Sequence, residues 1–100
     1  MAVAFIQEWR KAAPGTDNYD AVAAKLNAQS NPPEGLIAHT AGRDANGVFR
    51  IFDIWETREH AERFQQERIM PIVNELMGQR DNMTPPDVQE TYELHDLIRG

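Results

Sequence analysis

An α+β domain is the fold class this sequence predicts, and three observations carry the prediction. Stretches of strand-like alternation bracket stretches of helical spacing. Clusters of Gly, Pro and Asn separate them at short intervals. The chain has 100 residues, the size of one domain around one core. The resulting order is strand–helix–strand–strand–helix–strand. This is the split βαβ plan of the ferredoxin-like fold, with a four-stranded antiparallel sheet covered on one side by two helices, as a single domain over 1–100.

Taken in order, residues 2–9 alternate in part, with Val3, Phe5, Gln7 and Trp9 on one side and Ala2, Ala4, Ile6 and Glu8 on the other, which is strand spacing. Pro14 and Gly15 break the chain, and Thr16 or Asp17 supplies a side-chain oxygen to cap a helix. Tyr19, Val22, Ala23 and Leu26 make its apolar stripe, and Asn31-Pro32-Pro33 is expected to end it. Residues 35–42 form the second strand and 43–47 a turn, where Asn46-Gly47 suits positive φ angles. Residues 48–55 form the third and most apolar strand. Thr57 caps the second helix, Glu59 sits favourably in its first turn, and Glu59 with Arg63 and Arg63 with Glu67 are spaced to pair. Pro71 interrupts the helix while Ile69, Ile72, Val73 and Leu76 keep its spacing, so a kinked or two-part helix is predicted. Residues 78–86 read as a polar loop and 88–97 as the fourth strand.

Composition excludes several function classes. Without cysteine there is no disulfide framework and no thiolate chemistry, which fits a reducing, cytoplasmic setting. The formal charge is −6 with no Lys/Arg cluster, which speaks against nucleic acid as a partner. No stretch approaches a membrane-spanning length, and the start reads as a strand rather than a signal peptide. The three histidines lack metal-ligand spacing, so no metal is expected, and Ser30, in a Pro-rich connector, is an improbable nucleophile.

The third strand is apolar on both faces: Phe49, Ile51 and Trp55 on one, Val48, Phe52 and Ile54 on the other. Two helices cover one face of a four-stranded sheet. The other face calls for a second copy of the chain, with Ile6, Phe52 and Ile54 near the interface. The alternative is a monomer that exposes a few apolar residues.

The words Gly35-Leu36-Ile37-Ala38-His39, Phe52-Asp53-Ile54-Trp55-Glu56-Thr57, Glu67-Arg68-Ile69-Met70-Pro71 and Glu93-Leu94-His95 span nearly the whole chain. In this arrangement they resemble the dimeric α+β barrel superfamily, in the branch named for antibiotic-biosynthesis monooxygenases. The resemblance implies a homodimer, a pocket between sheet and helices for a small aromatic or apolar molecule, and, in the oxygenase members, chemistry without a cofactor. Members acting on aromatic polyketides or haem end the third strand with a pocket-lining Trp, matched by Trp55. Their other residues are not matched: Ile51 and Ala61 stand where the polyketide enzymes use Asn and Tyr. Residues 71–78 hold no His for haem iron, and Gln7 replaces a first-strand Asn.

Two residues stand out as catalytic candidates. His39, mid-strand, is a natural general base near neutral pH; the plainer reading is a core histidine satisfied by a carbonyl or water. Asp53, between Phe52 and Ile54, needs a partner in so apolar a strand. It either orients His39 or holds a substrate hydroxyl, or it pairs with Arg50 or lies at a wet strand end. Hairpin register decides between these readings. A two-residue turn puts His39 opposite Ile54 and Asp53 on the other face; a five-residue loop puts His39 opposite Ile51, on the face of Asp53. The longer loop gathers the polar groups with Trp55 and is favoured. Gln7, Phe49, Trp55 and His95 are the expected substrate-binding residues. Trp55 is expected beside Phe5, Gln7 and Phe49 and beneath Phe64 or Ile72. His95 is expected on the face of Glu93, entering the pocket, meeting a partner or exposed, and His60 is expected in solvent. Two functions follow: a cofactor-independent monooxygenase-like enzyme on an aromatic, phenol-like substrate, or a non-catalytic ligand-binding or stress-associated dimer.

Overall fold

In the computed structural model, which describes residues 1–10, 17–79 and 83–100, the elements follow the predicted order. They are β1 (Val3–Trp9), α1 (Asp17–Leu26), β2 (Leu36–Arg43), β3 (Phe49–Trp55), α2 (Arg58–Phe64), a π-helical segment (Gln65–Ile69), α3 (Met70–Met77) and β4 (Val88–Glu93). The strands lie in the order β2-β3-β1-β4 with every neighbouring pair antiparallel, which is the ferredoxin-like sheet. Pro14, Gly15 and Thr16, expected to break the chain and cap α1, lie outside the described residues. None of the described helices is long and apolar enough to cross a membrane.

Two local features differ from the sequence reading, and the expected interruption at Pro71 takes a particular form, each for a physical reason. Helix α1 ends before the Pro pair, at Leu26, because Asn27 takes a left-handed conformation (φ 52°) and donates its N–H to Ala23 O at 3.0 Å, an αL cap. The interruption at Pro71 takes the form of a wide turn. Proline has no N–H and its ring crowds the carbonyl four residues back, and just before it the Met70 N–H bonds Gln65 O, five residues back. Strand β4 stops at Glu93, short of His95, which is exposed beyond it.

The helix-facing side of the sheet carries the core. Val3, Phe5, Trp55 and Ala61 are buried together, with Leu36 and Phe64 packed against them, and the Trp55 and Phe64 rings lie 5.1 Å apart. Thr57 caps α2 as expected, its Oγ1 accepting His60 N–H at 3.1 Å. His60 is not solvated: its Nδ1 meets Thr57 Oγ1 at 2.7 Å, and its ring covers Gly35 so closely that a Cβ there would collide with it. With φ +82° as well, position 35 requires glycine. Arg68 ties the far end of α1 to the π segment. Its guanidinium donates to Leu26 O (3.2 Å) and Asn31 O (3.0 Å) and rests over the Phe64 ring.

On the outer side, Ile6, Phe52 and Ile54 are half-buried and Tyr92 exposed, forming one apolar area. Toward the β2–β3 hairpin this face turns polar, where Arg50 donates to Glu8 at 3.0 Å. Arg50 is therefore on the face opposite Asp53 and is not its partner.

Candidate functional site

The hairpin joining β2 and β3 settles which side chains meet. Its loop has three residues, 45–47, with Asp44 opposite Val48 and Gly47 at φ +85°. Asp44 holds the loop by accepting Asn46 N–H (2.9 Å) and Val48 N–H (3.0 Å), and these bonds keep its carboxyl below the ordinary range. Neither loop length considered from the sequence is the one adopted. The resulting register places His39 directly opposite Asp53. Parity puts both on the helix-facing side, as the favoured longer loop required, but two positions along from its pairing. A β-bulge between Leu36 and Ala38 then lets Leu36 share that side and reach the core beside Trp55.

Asp53 is 5% exposed and is the buried charged residue among those described. Its Oδ1 lies 2.6 Å from His39 Nδ1. A carboxylate only accepts, so Nδ1 carries the proton and the Nε2 lone pair of the neutral ring faces outward. Nε2 meets the Tyr19 hydroxyl at 2.7 Å. The hydrogen bond to Asp53 raises the His39 pKa above its ordinary value, against burial, which lowers it, and with help from the Asp53 charge. Tyr19 holds its proton more tightly than a free tyrosine, first through burial and then through the charges of Asp53 and Asp20. The His39 side chain remains 40% exposed, so a buried anion orients an imidazole that small molecules can reach. This arrangement can take a proton and stabilise the cation that results.

Tyr19 was read from the sequence only as the first member of the α1 stripe. Its hydroxyl was the available signal, because an inward-facing tyrosine needs a polar partner. It also bridges to Phe49, ring centroids 5.5 Å apart, while Phe49 packs on Trp9 at 6.1 Å and lies under the Arg43 guanidinium. His39, Asp53 and, through Tyr19, Phe49 are thus one cluster. Gln7 lies on the same side, its pairing with Ile51 setting it one row along from Phe5 and Asp53, with its amide donating to Gln89 Oε1 at 2.9 Å. Trp55 shares this face, two residues from Asp53 in the direction away from Ile51, and is 1% exposed, with its Nε1 buried and without a hydrogen-bond partner. Phe64 covers it, as expected, whereas Phe49 stands at the far end of β3. His95 lies apart from this cluster. Among the described residues, hollows lie elsewhere, of about 150 Å³ beside His60, Arg63 and Phe64 and about 290 Å³ on the outer face beside Thr40, Arg50 and Phe52. Among the described residues no three His, Asp or Glu side chains converge as metal ligands.

No family model and no curated protein matches the chain. Solved structures do. A Deinococcus radiodurans protein named after the antibiotic biosynthesis monooxygenases superposes with a TM-score of 0.68 at 14% identity, covering 99% of this chain and 97% of the other. A similarly named Chloroflexus aurantiacus protein gives 0.63 at 18% identity over 99% and 98%. SnoaB, a cofactor-independent oxygenase from Streptomyces nogalater, gives 0.65 at 14% identity over 99% and 98%. Identities this low speak for the fold alone. At that level the resemblance seen in the sequence holds: the chain shares the ferredoxin-like α+β fold of these structures, two of which are named after the antibiotic biosynthesis monooxygenases.

Proposed function

We propose that this chain binds a small hydroxyaromatic molecule on the helix-facing side of its sheet and acts on it as a cofactor-independent monooxygenase-like enzyme, with His39 as general base and Asp53 as the group that orients it. The observation that carries the reading is the 2.6 Å bond from His39 Nδ1 to a buried Asp53. A phenol that surrenders its proton to Nε2 becomes an electron-rich anion able to reduce dioxygen itself. The protein then contributes the base, an imidazolium–carboxylate pair beside the anion, and limited access of water. SnoaB, of the same fold, is an oxygenase of that cofactor-independent kind. The test is dioxygen uptake by purified, chelator-treated protein supplied with naphthols and hydroquinones. Uptake with formation of an oxygenated product is expected, and its absence across the set sinks the enzymatic reading.

One observation favours the second reading, a ligand-binding dimer without catalysis: Trp55, matched to a pocket-lining residue, is packed within the core. Saturable binding of those same compounds without dioxygen uptake is its signature.

In either case the partner of the outer sheet face is a second copy of the chain. Ile6, Phe52, Ile54 and Tyr92 form its apolar area, which is the kind of surface a symmetric dimer covers. Sedimentation equilibrium is expected to give a dimer at micromolar concentration, and Phe52→Glu is expected to give a folded monomer. A wild-type monomer contradicts this.

A further inference from the structure

We propose that the Tyr19 hydroxyl occupies, on His39 Nε2, the place that a ligand's phenolic hydroxyl takes, so that binding is the exchange of one phenol for another. The proposal rests on the reading of His39 and Asp53 as a base, and it names the ligand class of that site: planar hydroxyaromatics more acidic than tyrosine.

The geometry is that of a bound phenol. The Tyr19 oxygen lies 2.7 Å from Nε2, and the two rings are nearly parallel, 3° apart with centroids at 6.2 Å. At that distance the hydroxyl donates to the Nε2 lone pair, since Nδ1 carries the ring's proton. The Tyr19 ring also leans on Phe49 at 5.5 Å, so the slot it fills is bounded by one aromatic ring and one imidazole.

Helix α1 can release that position. None of its residues 18–26 is fully buried. Its Lys25 pairs with Glu75 at 3.1 Å and its Leu26 O accepts from Arg68, both in its last turn, and Tyr19 stands near its start. A helix end with little buried area opens at small cost.

Acidity decides which phenols win the exchange. Tyr19 is held in its neutral form by burial and by the charges of Asp53 and Asp20, so it offers His39 only a neutral hydrogen bond. A more acidic phenol transfers its proton to Nε2. It then sits as an anion against an imidazolium that Asp53 supports, and a charge-assisted bond is roughly twice as strong as a neutral one. Weakly acidic phenols gain nothing over Tyr19.

The test uses para-nitrophenol, para-chlorophenol, para-cresol and their methyl ethers, titrated calorimetrically into the intact protein. In the wild type, affinity is expected to rise in the order cresol, chlorophenol, nitrophenol, with the ethers weakest. A flat series overturns the proposal without recourse to any variant. In Tyr19→Phe, whose fold is checked by its thermal transition, para-nitrophenol is expected to bind about threefold to tenfold more tightly, the worth of one competing neutral hydrogen bond. Equal or weaker binding in Tyr19→Phe overturns the proposal. His39→Gln separates the two levels. If it flattens the acidity series while Tyr19→Phe gains nothing, the base stands and the exchange falls. If the acidity series survives His39→Gln, the reading of His39 as the base falls and the exchange with it.

Discussion

His39→Gln is expected to lower turnover of a hydroxyaromatic substrate by about 10²–10⁴-fold, the usual worth of a positioned general base. Glutamine keeps much of the side-chain length and polarity but cannot accept and hold a proton at neutral pH. Asp53→Asn is the informative companion. It retains an oxygen that can accept from Nδ1 but removes the charge, which weakens the hydrogen bond that raises the His39 pKa and abolishes the attraction of the Asp53 charge. The NMR titration of the His39 ring should have its midpoint above about 6.5 in the wild type and fall in Asp53→Asn, where burial is opposed only by a neutral hydrogen bond. The pH profiles follow with opposite signs. The base works only when deprotonated, so kcat/KM should rise with pH through the raised pKa, and in Asp53→Asn the rise should move to lower pH. Stability runs the other way. A histidine whose folded pKa is raised contributes stability that is full below its unfolded pKa of about 6.5 and is lost as pH rises through the folded value. An unchanged His39 midpoint in Asp53→Asn removes the orienting role from Asp53.

Trp55→Ala is expected to cost about 3–5 kcal/mol, the range for truncating a buried Trp. Against a typical domain stability of about 5–15 kcal/mol, that is enough to leave the variant partly unfolded at ambient temperature. The indole is 1% exposed and packs on Phe64 among Val3, Phe5 and Ala61, so its loss opens the centre of the core where β3 meets α2. Its Nε1 has no hydrogen-bond partner, so the loss is one of packing. Trp55→Phe should therefore cost markedly less, since it keeps a ring against Phe64 and removes an unsatisfied N–H. Urea unfolding with matched m-values checks both. If Trp55→Phe is as damaging as Trp55→Ala, the Nε1–H makes an interaction beyond packing. A ligand that stabilises the wild type but not Trp55→Phe would identify that partner.

Much of the architecture was legible because its signals are local. Alternation, helical spacing, the Thr57 cap and the breaks at Gly and Pro each act within a few residues, and together they determine the element order and hence the ferredoxin-like sheet. The same reasoning marked His39 and Asp53, since a polar residue inside an apolar strand must find a partner. What it could not determine is which partner. Side chains alternate with a period of two, so the length of one loop decides whether His39 meets Asp53 or turns away from it. The three-residue loop was set by Asp44 accepting two backbone N–H groups, a bond pattern with no periodicity to read. Tyr19 was hidden for a related reason: its helical spacing states that it faces inward, and only the packing of α1 over the sheet brings its hydroxyl to His39. The sequence by itself determined the elements, their order and the residues that need partners. The tertiary structure alone decided the pairings, because register and helix docking depend on contacts between residues far apart in the chain.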